Sequence, residues 1–249
     1  MLIRIFCLCL ILTSLGGCEQ SAQQEEKKPI IVITSPDNPP FEFKDTARGG
    51  DQVIGFDMDI AQKLSEHLGL PIKVMEADFA AIVPALQAKR ADMGISAIAA
   101  TDERRKSLDF SDPYYSYKLA LLVPGNSPLA SEKDLAHKKL GVQLGSSHEI
   151  LAHKWEATFP GLSLVSLNKV GELVQELKNG RIEAILTEGT TAHKIVQSTS
   201  GLKTIVLKVP GEALVIALPK GSSLLSPLNK ALKKMKVDIE KSAVKWFGK

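Results

Sequence analysis

The chain has 249 residues, 44% of them apolar, enough for one large core or two modest ones. Its formal net charge is only +3, with 31 Lys and Arg interspersed among 28 Asp and Glu, which excludes the concentrated basic face of a nucleic-acid binder. Beyond Gln20 no segment is long and apolar enough to span a bilayer.

The N-terminus, MLIRIFCLCLILTSLGGC, carries one cation, Arg4, and an apolar run from Ile5 to Leu15, the pattern of a secretory signal. It ends in LGGC, which is similar to the bacterial lipobox, where the cysteine after two small residues becomes lipid-modified. Cys7 and Cys9 lie inside the signal, so Cys18 is the sole cysteine of the mature chain. That argues for acylation at Cys18 and against a disulfide framework. Residues 1–17 are therefore expected to be a signal peptide. Residues 18–28, polar and aperiodic, are expected to be a lipid-anchored tether. The expected product is exported and held at a membrane without crossing it, in the periplasm or at the cell surface.

IIVITS (Ile30 to Ser35) predicts a buried strand, broken by the rigid PDNPP. VIGFDMDIAQKLSEHLGL predicts a helix, with Ile60, Leu64 and Leu68 at helical spacing, acids at its start and Gly69 at its end. PIKVME is a strand, and DFAAIVPALQAKR a helix with Asp78 as N-cap and an early, tolerated Pro84. ADMGISAI is a further strand, after which Thr101 starts a helix. This βαβαβα run favours an α/β sheet with ligands at the carboxyl ends of its strands.

The alternation resumes after DPYYSYKLALLV. KKLGVQL, LSLVSL, RIEAILT and LKTIVLKV read as strands. GSSHEILAHKW, KVGELVQELKNG and TTAHKIVQSTS read as helices. After GEALVIALPKGS, SPLNKALKKMKVDIEKSAVKWFGK predicts one basic amphipathic terminal helix that packs on its own domain. Two successive α/β units suggest two lobes, and periodicity does not say whether the last segment returns to the first.

One stretch carries chemistry on its face. In AATDERRKSLDFSDPYY, Thr101 caps a helix start whose free amides and positive dipole end suit an anion. Arg104 in the first turn adds a planar bidentate fork for a carboxylate. GVQLGSS offers a second such helix start, where Gly145 permits close backbone approach. The five histidines (67, 137, 148, 153 and 193) have no metal-ligand spacing, GGDQVIG is no phosphate loop, and no cofactor is implied.

Taken in order, PPFEF, GFDMDIAQKL, DFAAIVPALQAKRADMGISA, TDERRKSLDFSDPYY, GVQLGSSHE, GRIEAILTE and the terminal KWFG resemble the polar amino-acid-binding proteins of ABC importers. The resemblance runs from about Ile30 to Gly248. It implies a two-lobe α/β fold of the type II periplasmic-binding-protein kind, with two hinge strands, closing on one free amino acid and delivering it to the membrane subunits of an ABC permease. Carried over, the first lobe is 29–115 plus 212–249 and the second 119–209, with crossings near Tyr114–Lys118 and Pro210–Leu214. A monomer without metal, nucleic acid or catalytic residues is expected.

The resemblance also implies roles within the site. Arg104 and Thr101, with the amides of Ser146 and Ser147, take the ligand carboxylate, while Arg105 and Lys106 are solvated surface. Glu188 and the carbonyl of Ala97 take the ammonium, and Phe79 stacks on the ligand side chain. Two positions depart from the family. Glu188 stands where an aspartate is usual, and Ala99 where a Ser or Thr is usual, so that Ser96 compensates. In the first loop Ser35 falls at the family's acid and Asn38 at its aromatic, with Asp37 between them. Asp37 or Asp78 is then the available countercharge, and arginine or glutamine the leading ligand. The alternative is an enzyme similar to cyclohexadienyl dehydratases, with Glu188 as general acid.

Overall fold

A computed structural model describes residues 27–46 and 49–248; the signal segment, Cys18 and most of the tether lie outside the described residues. The first half runs β1 (Ile30–Thr34), β2 (Asp37–Asn38), β3 (Glu42–Lys44), β4 (Val53–Ile54) and α1 (Phe56–Leu68), then β5 (Ile72–Glu76), α2 (Phe79–Gln87) and β6 (Met93–Gly94). It continues through α3 (Asp102–Arg105), β7 (Leu108–Phe110) and β8 (Tyr115–Tyr117). The second half runs β9 (Leu119–Pro124), β10 (Lys139–Gln143), α4 (Ser147–Glu156), β11 (Ser163–Leu167), α5 (Val170–Lys178) and β12 (Ala184–Glu188). Then come α6 (Gly189–Ser198), β13 (Leu202–Val206), β14 (Glu212–Leu214), β15 (Ala217–Pro219), α7 (Leu225–Lys234) and α8 (Lys236–Phe247).

Two five-stranded sheets define two lobes. The first has the order β5-β1-β6-β15-β7 and the second β11-β10-β12-β9-β13. Between them β8 and β14 pair antiparallel, Tyr117 opposite Glu212 and Tyr115 opposite Leu214. These are the two hinge strands. The chain thus returns to the first lobe: β15 enters that sheet antiparallel between β6 and β7. A small sheet of β2, β3 and β4 flanks the first lobe.

Four of the aromatic motifs meet in one place. Phe41 of PPFEF, Phe56 of GFD, Tyr115 of DPYY and Phe247 of KWFG have ring centroids 4.8–6.2 Å apart. Trp246 beside them donates to Asp59 at 2.8 Å. The cluster pins the C-terminal helix to the first lobe, and removing one such buried ring costs ~3–5 kcal/mol. Gly55 is required here: its φ is +133°, and a Cβ would overlap the Phe41 carbonyl.

Three expectations change in detail. The terminal basic segment is two helices, broken where Met235 (φ −85°, ψ 6°) turns inward and is fully buried. The strand expected over ADMGISAI is paired as a strand only at Met93–Gly94, because Ala97 adopts φ +43° and diverts the chain. Asp78 occupies the N-cap position of α2 without a capping bond; its carboxylate instead pairs with Lys169 of the second lobe at 2.6 Å. Among the described residues no helix is long and apolar enough to cross a membrane.

Candidate functional site

The loops at the carboxyl ends of the strands face one another across the seam between the lobes, as expected for an open α/β sheet. Thr101 caps α3, its Oγ1 accepting from the Arg104 amide at 3.3 Å. The Arg104 side chain is 6% exposed. One of its Nη atoms donates to the Ala99 carbonyl at 2.6 Å and the other crosses the seam to the Gly145 carbonyl at 2.8 Å. The guanidinium lies 5.4 Å from the centre of the Phe79 ring. Burial lowers its pKa to about 10, opposed chiefly by the charge of Glu212, so it is a full cation at neutral pH.

On the second lobe, Gly145 has φ +75°, and a Cβ there would sit 3.1 Å from Cα and Cβ of Ala80 on α2. Only glycine lets the lobes meet this closely. Ser146 caps α4, accepting from the Glu149 amide at 3.1 Å. Ser147 donates to Glu212 Oε2 at 2.6 Å, and the same oxygen accepts from Tyr117 at 2.8 Å. With its proton on Glu212, the Tyr117 oxygen is left to accept from His148 Nε2, 3.2 Å away. His148 Nε2 is in turn 4.0 Å from Glu188 Oε1. Glu188 ends β12, buried, its Oε2 accepting from Thr187 at 2.8 Å. Hydrogen bonds thus run from Ser147 through Glu212 and Tyr117 to His148, with the Glu188 carboxyl 4.0 Å beyond and the Glu212 charge acting on Arg104. A groove of about 850 Å³, lined by Ala99, Thr101, Ser147, Ile150, Glu212 and Val215, runs along the hinge side.

The first-loop residues lie in the same seam but bond protein partners. Asp37 accepts from Ser35 Oγ at 2.7 Å and, across the seam, from Gln143 Nε2 at 3.2 Å and the Val170 amide at 2.8 Å. It thus supplies an anion to the start of α5. Burial raises its pKa against these hydrogen bonds. Asn38 accepts from Thr191 of the second lobe at 2.7 Å. Neither Asp37 nor Asp78 is a free countercharge, since each has a partner in the opposite lobe.

Ser96 Oγ accepts from the Ser35 amide at 3.0 Å and donates to Glu42 Oε1 at 2.9 Å. The Ala97 amide donates to Asp57 Oδ2 at 2.7 Å. Ala99 forms a bridge with Leu214 of the hinge. Sequence reasoning missed Gln143, His148, Tyr117, Glu212, Glu42 and Asp57. The first two stand inside the quoted GVQLGSSHE motif, and the last two inside PPFEF and GFD, where their polarity at otherwise apolar positions was the available signal.

Two α/β lobes joined by paired hinge strands and closing over buried, opposite charges make this a type II periplasmic binding protein in architecture. The chain belongs to the bacterial extracellular solute-binding proteins, family 3, which match it over residues 30–249. It is 35% identical over 246 residues to the arginine-binding extracellular protein ArtP of Bacillus subtilis (strain 168), covering 97% of this chain and 94% of that one. An ancestral arginine-binding protein bound to arginine matches with a TM-score of 0.83 and 38% identity, over 90% of this chain and 100% of that one. An ancestral arginine-binding protein bound to glutamine gives 0.82 and 39%, over 89% and 98%. The family and these relatives are solute-binding proteins rather than enzymes.

Proposed function

We propose that this chain captures a free polar amino acid between its lobes, L-arginine first among them, and delivers it to an ABC permease. The observation that carries this is that a buried arginine, Arg104 of the first lobe, and a buried acid, Glu188 of the second, stand on opposite sides of one seam without pairing with each other. An α-amino acid presents a carboxylate and an ammonium, each of which needs a partner of opposite charge once removed from water. Arg104 turns its fork from the two backbone carbonyls to the ligand carboxylate, helped by Thr101 and by the Ser146 and Ser147 amides. Glu188 and the Ala97 carbonyl take the ammonium. Phe79, already under one guanidinium, offers its face to the ligand side chain.

Arginine is put before glutamine on the names of the relatives. We take residues 29–115 with 212–249 as the first lobe and 119–209 as the second, the whole working as a monomer held by an acylated Cys18. Mass spectrometry of the amino acid that co-purifies, followed by calorimetry with arginine, glutamine, histidine and cystine, tests the ligand. Arginine is expected to bind tightest, and a ligand without an α-amino acid group contradicts the reading. Cys18→Ala is expected to release the protein from the membrane fraction or leave its precursor unprocessed; normal retention contradicts the anchor.

A further inference from the structure

Glu42 and Asp57 are fully buried in the first lobe, and the capture of a ligand as described uses neither. Each is bound to the segment that turns into the seam. Glu42 Oε1 accepts from Ser96 Oγ, and Asp57 Oδ2 from the Ala97 amide. Asp57 Oδ1 accepts from the Tyr114 hydroxyl at 2.8 Å. Glu42 Oε2, also buried, has no hydrogen-bond partner. The two carboxyls grip consecutive residues of one turn, Ser96 and Ala97, and the Asp57 amide donates to the carbonyl of Phe41, next to Glu42, at 2.9 Å. Two buried carboxyls on one turn repel if both are charged, and Glu42 Oε2 is the oxygen left to carry a proton. Burial first, and then the carboxyls of Asp57, Asp37 and Glu188, oppose a negative charge on Glu42.

Ala97 is the reason such a pair is useful. It is a non-glycine residue at φ +43°, a conformation that persists only when its surroundings enforce it. We propose that Glu42 and Asp57 form a carboxyl–carboxylate pair, with one proton between them, that positions the Ser96–Ala97 turn so that the Ala97 carbonyl meets the ligand ammonium. Asp57 holds the turn by its amide, Glu42 holds it through the Ser96 hydroxyl, and the shared proton ties the two grips together. One negative charge on the pair, rather than two, also limits repulsion with Glu188. The positioning role rests on the reading of Ala97 and Glu188 as ammonium partners; the shared proton does not.

The experiment has two readouts on the full chain. Infrared spectroscopy at neutral pH is expected to show the C=O band of a buried carboxylic acid in the wild type and to lose it in Glu42→Gln. Calorimetry with L-arginine then compares variants. Glu42→Gln keeps an acceptor for Ser96 and a donor for Asp57, so it is expected to bind within about threefold of wild type, whereas Glu42→Ala is expected to lose at least about tenfold, or ~1.4 kcal/mol. Asp57→Asn disturbs the grip on the Ala97 amide and is expected to resemble Glu42→Ala. Absence of the band overturns the shared proton. A loss in Glu42→Gln equal to that in Glu42→Ala overturns the neutral-acid role. If wild type shows the band but ignores arginine, the arginine reading fails while the proton pair stands.

Discussion

The two lobes present their site residues by different means. In the second lobe they stand where regular elements end: Gly145, Ser146 and Ser147 between β10 and α4, and Glu188 as the last residue of β12. The strands there are five or six residues long and the chain from 119 to 206 is unbroken. In the first lobe, β6 has two residues, and the segments 35–38 and 96–101 are held by side chains: Asp57 on Ala97, Ser96 on Glu42, Ser35 on Asp37. Backbone regularity aims one half of the site, and buried polar side chains aim the other. A repeating strand fixes its own ends, whereas an irregular segment needs partners with their own hydrogen bonds satisfied.

That contrast orders the expected effects. The largest is at the first-lobe cation. Removing one member of a buried, hydrogen-bonded charge pair costs roughly 2–5 kcal/mol, so Arg104→Ala should weaken arginine binding by roughly 30- to several-thousand-fold. Arg105→Ala, whose guanidinium lies over the Phe110 ring at 5.5 Å away from the seam partners, should change it little. Equal losses in titration calorimetry would refute the assignment of Arg104. On the second lobe, Glu188→Gln keeps the shape and an acceptor but not the charge. It should cost at least about tenfold and reduce discrimination against the α-deaminated analogue; unchanged affinity would place the ammonium partner elsewhere.

Smaller effects test the seam. Gly145→Ala combines a positive φ with close contact to Ala80, so it should open the closed form and weaken binding about fivefold, the size of ~1 kcal/mol. Small-angle scattering with ligand should show a more open average, and an unchanged profile would mean that the seam is looser than described. The smallest effect is on stability. Burial first, then neighbouring acids, hold Glu42 well above the carboxylate range, and burial raises Asp57 to about 7. The folded chain therefore binds more protons than the unfolded chain, and this stability is fully present below about 4 and is lost as pH rises through about 7. Glu42→Gln should flatten that part of the thermal-unfolding profile, and an equally steep profile would count against the buried acids as its source.

The same contrast explains what the sequence made legible. The helices and strands of the second lobe follow from period and punctuation, whereas Glu188 was singled out only by the family resemblance, as a departure from the usual aspartate. Arg104 was visible because Thr101 and three cations follow a buried stretch. The return of β15 to the first sheet came from the family resemblance alone, since no local pattern encodes a partner more than a hundred residues away. The run of hydrogen bonds was not visible: Glu212 and Tyr117 meet only because β8 and β14 pair. Asp37 was read as a countercharge from its place in the loop; its hydrogen bond to Val170 spans the closed seam and leaves no local trace. The aromatic motifs that made the chain recognisable turn out to build the first-lobe cluster, so they carry architecture rather than ligand contacts.

In the proposed capture, one lobe reads the α-carboxylate and the other the α-ammonium. Titration calorimetry of the wild-type chain with L-arginine, its decarboxylated amine and its α-deaminated acid addresses both ends in one experiment. Each truncated analogue is expected to bind at least about tenfold more weakly than arginine, because each leaves a buried group, Arg104 or Glu188, without its partner. Binding of either analogue as tightly as arginine would contradict the proposed capture.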